Sequence, residues 1–284
     1  MIDICKLDLQ KKELKHSHII PKFTFDYLKS TGSKYLRNIE NPDIRHQDGT
    51  KEYLLCNDCE QLFSKRERWF ANNIFFPYLK ENKTEFQYDE NLGYFVISML
   101  WRVLINQLSH PSVKNEILLS FLKDVESEWR EFLINFKYPI NFNNLNIFFT
   151  DRLIYNGNSN LLNSDLYFTR FIDATIVHNN DFSKVAIYAK FLRFIFWAPV
   201  KGYRYENQTT TIKLNNGILN IPQELNDKFI SSFFLNRIKQ IDQAKQPNQQ
   251  QTDKMWKEIE KNEKEFWDSD AGQSMLNDLR NFKQ

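Results

Sequence analysis

All three cysteines of the chain fall close to its first fifth, at positions 5, 56 and 59, and no other feature restricts the possible folds as much. The spacing Cys56-Asn57-Asp58-Cys59 lets a single turn present two thiolates to one tetrahedral metal ion. Two further ligands must then come from elsewhere. Cys5 offers a third thiolate, and Asp8, three residues later, offers a carboxylate, which zinc also accepts. The spacing therefore predicts a structural zinc site of Cys5, Asp8, Cys56 and Cys59, with His16 as the other candidate for the fourth ligand. Three unlinked thiols are the simpler alternative. An odd cysteine count speaks against a secreted disulfide scaffold.

The residues between the cysteines follow a short plan. His18-Ile19-Ile20-Pro21 reads as an extended run, followed by a polar loop containing Gly32 and Gly49. Lys51 to Leu55 reads as a strand leading into Cys56. From Glu60 to about Lys80 the pattern turns helical, with Leu62, Phe63, Trp69 and Phe70 on one side. The order is strand, loop, strand, helix.

Three pieces stand in this frame: C5-K-L-D8, S17-H-I-I-P21 and L54-L-C-N-D-C-E60. Together they resemble the zinc-bearing branch of the HNH endonucleases, the His-Me finger or ββα-metal family. The run QDGTKEYLLCNDCEQLFSKRE at 47–67 is similar to a bacterial subgroup found beside phage-defence and restriction genes. The resemblance covers roughly residues 1–80. It implies that His18 is a general base acting on water and that Glu60 is a ligand of a catalytic Mg²⁺ or Mn²⁺. The residue before the base, often a metal-binding Asp in the family, is Ser17 here. The family's orienting Asn has no counterpart, since Lys51 stands five residues before Cys56. Asp48 is the candidate for that orienting role or for a further metal carboxylate, and His46 is a weaker one. Glu67, two helical turns beyond Glu60, shares its face and is a candidate to support the metal. Lys65, Arg66 and Arg68 are candidates for phosphate contact. Each has a plainer reading as well: a buried histidine, a carboxylate at a helix start, a turn aspartate, a solvated basic face.

Beyond residue 85 the sequence offers elements without chemistry. Helices are expected at Tyr94–Leu108, ending before Pro111, and at about Val113–Phe136, with Ile117, Leu118, Phe121, Leu122, Val125, Trp129 and Leu133 at helical spacing. Residues 140–190 are mixed, and the apolar runs at 145–149, 174–177 and 185–191 fit strands or buried helix equally. Thr209–Ile221, centred on Asn215-Asn216-Gly217, suggests a hairpin. A helix is expected near 223–244, then a polar linker at 245–251 and an amphipathic terminal helix. The dense aromatics of 186–205, with Lys190, Arg193, Lys201 and Arg204 among them, suit nucleic-acid stacking or core packing. His110 and His178 read as structural.

The expected fold class is α+β: a small zinc-stapled ββα-metal module (1–85), a larger, mainly α-helical accessory domain with a few strands (90–244), and a C-terminal amphipathic helix (252–284). The absence of a Gly-rich phosphate loop argues against a P-loop ATPase or a dinucleotide-binding fold. Net charge is only +2, although the first eighty residues carry 14 Lys+Arg against 11 Asp+Glu. Charge alone thus neither demands nor excludes nucleic acid. The expectation is a cytoplasmic, DNA-cutting defence effector, on double-stranded DNA rather than RNA, with a homodimer or a regulatory protein as possible partner. A catalytically silent binding module is the alternative.

Overall fold

The computed structural model describes residues 1–32, 34–110, 113, 115–137, 145–150, 153–155, 163–205, 207 and 209–282. Of the stretch read as mixed, 140–144, 151–152 and 156–162 lie outside the described residues, as does Pro111. The chain is α+β, as its patterns suggest.

Two antiparallel strands open the fold, β1 (Ile2–Ile4) and β2 (Lys11–His18), joined by a tight turn. In that turn the Leu9 N–H donates to Cys5 O at 2.9 Å, and Leu9 adopts a positive φ of 58°. After α1 (Lys22–Ser30) and a polar loop, β3 (Lys51–Cys56) pairs antiparallel with β2. The register shifts between Lys15 and His16, a bulge that leaves Leu14 and Ser17 both buried. Cys56 ends β3 and stands at the N-cap of α2 (Asn57–Phe70), so strand and helix meet at a cysteine. A π-helical stretch at Ala71–Phe75 carries the chain into α3 (Phe76–Glu81), then β4 (Glu85–Tyr88).

The centre of the molecule is α4 (Glu90–Leu108), buried without interruption from Leu92 to Leu104. A helix apolar on every side must be packed on every side. It packs against α2, against α5 (Glu116–Asn135) and against a sheet. That sheet contains β5 (Leu145–Phe149), β7 (Ile172–His178), β8 (Val185–Phe191), β9 (Phe194–Lys201) and β10 (Thr211–Ile212), in the antiparallel order β10-β5-β9-β8-β7. Outside it lie β6 (Leu153–Tyr155), α6 (Ser164–Arg170), β11 (Gly217–Asn220), β12 (Gln223–Leu225) and α7 (Lys228–Asp242). Val185, Ile187, Ala189 and Phe191 join the cluster around α4, whereas Ala186, Tyr188 and Trp197 join Ile230, Phe234 and Ile238 of α7.

Several expectations need correction. The three ambiguous apolar runs are all strands: 145–149 and 185–191 are buried on both faces and have no polar face to alternate with, while 174–177 lies half-buried at the sheet edge. Beyond residue 90 helix still exceeds strand, and a five-stranded sheet packs against α4. The Asn-Asn-Gly turn joins no hairpin, because β10 pairs with β5 and β11 with β4. Burial of Ile212 and Leu219 against different strands outweighs the turn signal. The helix expected from 223 starts at 228, where the Asp227 carboxylate accepts from the Ile230 N–H at 2.8 Å. The terminal helix is three pieces, α8 (Gln249–Lys261), α9 (Glu263–Asp268) and α10 (Asp270–Phe282). One continuous cluster of buried side chains runs from Cys5 to Ile221, so the N-terminal module shares its core with the sheet and helices behind it. Among the described residues no helix is long and apolar enough to cross a membrane.

The C-terminal pieces dock on the N-terminal module through polar contacts. Arg45 reaches Glu258 at 3.2 Å, the Asn248 N–H donates to Asp43 at 2.7 Å, and the Tyr27 hydroxyl donates to Asp270 at 3.2 Å. Burial, reinforced by the Asp270 carboxylate, pushes the Tyr27 hydroxyl up to about 12. A folded value above the unfolded one of about 10 means that this stability is complete below pH 10 and is lost as pH rises towards 12. Tyr27→Phe should cost about 1 kcal/mol at neutral pH and flatten the alkaline limb of a stability-versus-pH curve. An unchanged limb in urea melts would show that the contact carries no weight.

Candidate metal centre and the adjoining histidine site

Two turns bring the ligands of the first site together. Cys56 and Cys59 lie at the first turn of α2, where exposed backbone N–H groups favour thiolate charge. The β1–β2 turn brings Cys5 and Asp8 against them, and the Cys56 N–H donates to Cys5 Sγ at 3.3 Å. The ligand atoms of Cys5, Asp8, Cys56 and Cys59 all lie within 4.8 Å of one another. A tetrahedron with zinc–sulfur bonds of the usual length has edges of about 3.7 Å, so a small contraction closes the site. These four side chains form a group that can hold a metal ion. Burial pushes the Cys5 and Cys59 thiols up, and for Cys59 the neighbouring Cys56 and Cys5 add to it. For Asp8 burial also acts upward, but Lys12 at 2.7 Å, the Gln10 N–H and the two thiols outweigh it and hold the carboxyl at about 2. His16 is not part of the group; its ring stacks on Tyr53 with centroids 4.8 Å apart.

The second site begins where β2 ends. His18 is the last residue of β2 and is paired with Lys51, the first residue of β3. Its Nε2 lies 2.9 Å from Asp48 Oδ2, although this buried nitrogen has no well-directed hydrogen bond. Lys51 Nζ sits 2.6 Å from the same carboxylate oxygen, and the Gly49 N–H donates to Oδ1 at 2.9 Å. Burial would raise the Asp48 carboxyl, but Lys51, His18 and the Gly49 N–H together hold it well below the usual carboxylate range. Asp48 is thus a fixed anion beside the imidazole, which favours the tautomer protonated at Nε2 and leaves the lone pair on Nδ1. The loop needs its glycine, because a Cβ on Gly49 would fall 2.0 Å from the Phe25 ring. That ring in turn stacks on His18 at 6.0 Å.

Ser17, immediately before His18, is buried and donates from Oγ to Glu60 Oε2 at 2.5 Å. Strand residue and helix carboxylate are thereby joined, and among the described residues nothing donates to Glu60 Oε1. Glu67 departs from its expected role as support for a metal. Its Oε1 is held 2.7 Å from Arg102 Nη2, a fixed ion pair facing the core. His46 bridges to Leu36 in the loop. Lys65 and Arg68 are exposed, but Arg66 turns its guanidinium over the Tyr94 ring at 4.7 Å.

Arg102 is the functional candidate that sequence reasoning misses. It is 2% exposed and donates through Nη1 to the His18 carbonyl at 2.9 Å. Its one signal in the sequence is that of a lone cation inside the apolar run Tyr94–Ile105. No family model matches the chain, and neither a curated protein nor a solved structure matches it.

Proposed function

We propose that this chain is a metal-dependent endonuclease of the HNH type, hydrolysing DNA phosphodiester bonds with His18 as general base. The observation that supports this most is that His18, held beside Asp48, directly follows Ser17, whose hydroxyl bonds Glu60 on α2, where two strands meet a helix. In this reading Zn²⁺ occupies the Cys5, Asp8, Cys56, Cys59 group and staples the turn to the helix, as its sulfur-rich donor set suggests. Glu60 and Ser17 hold Mg²⁺ or Mn²⁺, ions that keep several waters and need only one or two carboxylates. When bound, that cation supplies charge neutralisation at the phosphate and the leaving oxygen.

The remaining work falls to the chain. Asp48, itself anchored by Lys51, orients the imidazole through Nε2, and Nδ1 takes the proton from the attacking water. The Lys51–Asp48 pair replaces the orienting Asn of the family. Lys65 and Arg68 supply phosphate contacts along the exposed face of α2. Three free thiols suit a reducing cytoplasm, and a small cutting module under a large appendage suits a restrained defence effector. One site cuts one strand, so a double-strand break calls for a second copy or a second visit.

A silent zinc-stapled binding module is the second reading. It is favoured by Ser17, which stands where the family often carries a metal-binding Asp and leaves Glu60 as the lone carboxylate of its pair. Plasmid cleavage in Mg²⁺ or Mn²⁺ decides between them. Under the nuclease reading, nicking is lost with EDTA and falls at least about a hundredfold in His18→Ala. Equal cutting by the variant would remove His18 from the mechanism; no cutting by either protein would favour the binding module.

A further inference from the structure

Arg102 lies on α4, the most apolar helix of the chain, and its side chain is enclosed by the core. Each of its three nitrogens makes one hydrogen bond. Nε donates to Ser98 O at 3.3 Å, Nη1 to the His18 carbonyl at 2.9 Å, and Nη2 to Glu67 Oε1 at 2.7 Å, while Phe63 packs beneath it at 5.5 Å. Stability alone is a poor reason for such a group, since well-packed apolar residues commonly replace buried ion pairs without loss. The bonds point to a different use. Glu67 lies on α2, two turns beyond Glu60, and the His18 carbonyl belongs to the end of β2. One planar fork therefore ties the strand that carries His18 to the helix that carries Glu60.

We propose that Arg102 and Glu67 are a positioning pair that fixes the main chain of His18 against α2 and so sets the spacing between His18 and Glu60. The inference rests on the hydrolytic reading of this site. A lysine could reach one of these partners but not span both, because it lacks the rigid fork. Neither Arg102 nor Glu67 touches substrate in this role.

The test compares the full-length protein with Arg102→Met, Arg102→Lys and Glu67→Gln, using amide hydrogen exchange and steady-state cleavage kinetics. Arg102→Met leaves Glu67 without its partner and should melt several degrees below the parent, whereas the double variant Arg102→Met with Glu67→Leu should melt closer to it. Exchange at residues 17–20, where the Ile19 N–H is bonded to Thr50 O at 3.1 Å, should accelerate about tenfold or more. Cleavage should lose about a hundredfold in kcat with KM little changed, as expected of a misplaced base. Arg102→Lys should recover part of that loss. Should Arg102→Met fail to fold, Glu67→Gln carries the test, with smaller effects in the same direction. Unchanged exchange at 17–20 in a folded variant would overturn the proposal, as would a kcat that only follows the melting temperature. If the parent protein does not cut, the hydrolytic reading fails, and the exchange data still decide whether the pair holds His18.

Discussion

Cys59→Ser, or removal of the metal by a chelator, should lower the melting temperature of the whole chain by roughly 10 °C or more. Structural zinc sites of this kind bind with an apparent free energy of about 10–16 kcal/mol, and that energy is folding energy. Part is offset here. Burial raises the Cys5 and Cys59 thiols, so the metal must displace protons from them, and it must compete with Lys12 for Asp8. A net loss of about 5 kcal/mol is a moderate expectation, and at about 2 °C per kcal/mol it gives the stated shift. The effect is not confined to the first strands, because Cys5, Leu7, Leu14, Leu55 and Phe63 belong to the same core cluster as α4. The pH dependence has a definite sign. The metal-bound form carries thiolates and the metal-free form carries thiols, so acid favours release and zinc affinity should fall from pH 7 to pH 5. Elemental analysis beside calorimetry tests this. A metal-free parent whose Cys59→Ser variant melts at the same temperature would rule out a structural metal.

The metal group is legible in the sequence because ligand chemistry is local. A two-residue cysteine spacing on a strand-to-helix turn has few uses, and Cys5 with Asp8 has the right composition to complete it. Asp48 is legible as a turn residue, and the fold sets its carboxylate 2.9 Å from His18 Nε2. Glu67 shows where sequence reasoning stops. Its spacing from Glu60 is helical, but its partner, Arg102, lies thirty-five residues away on another helix, and no periodicity reports such a contact. The sheet is hidden for a related reason. Strands covered on both faces lose the alternation that distinguishes them, so Val185–Phe191 reads equally as buried helix. The Asn-Asn-Gly turn misleads because local turn chemistry is worth less than the burial of Ile212 and Leu219 against separate strands.

Asp48→Asn should separate chemistry from stability at the histidine site. The Asp48 carboxylate is partly exposed, and ion pairs in such places contribute about 0–1 kcal/mol, so the melting temperature should move by only a few degrees. Asparagine keeps the size and can still accept from the Gly49 N–H. It cannot pair with Lys51, however, and it can offer an amide N–H to His18 Nε2, which would place the imidazole proton on Nδ1. An imidazole in that tautomer has no lone pair where the proposed reaction needs one. The expected result is a fall in kcat of about 10²- to 10⁴-fold with KM little affected, since the contact matters only when the proton moves. Lys51→Met should act in the same direction but less far, because it leaves the carboxylate in place and removes only its anchor. If Asp48→Asn cuts within about threefold of the parent while His18→Ala does not cut, the imidazole is oriented by something else. The 2.9 Å approach would then be an ordinary ion pair beside the site, and the Lys51–Asp48 pair could not stand in for the family's missing Asn.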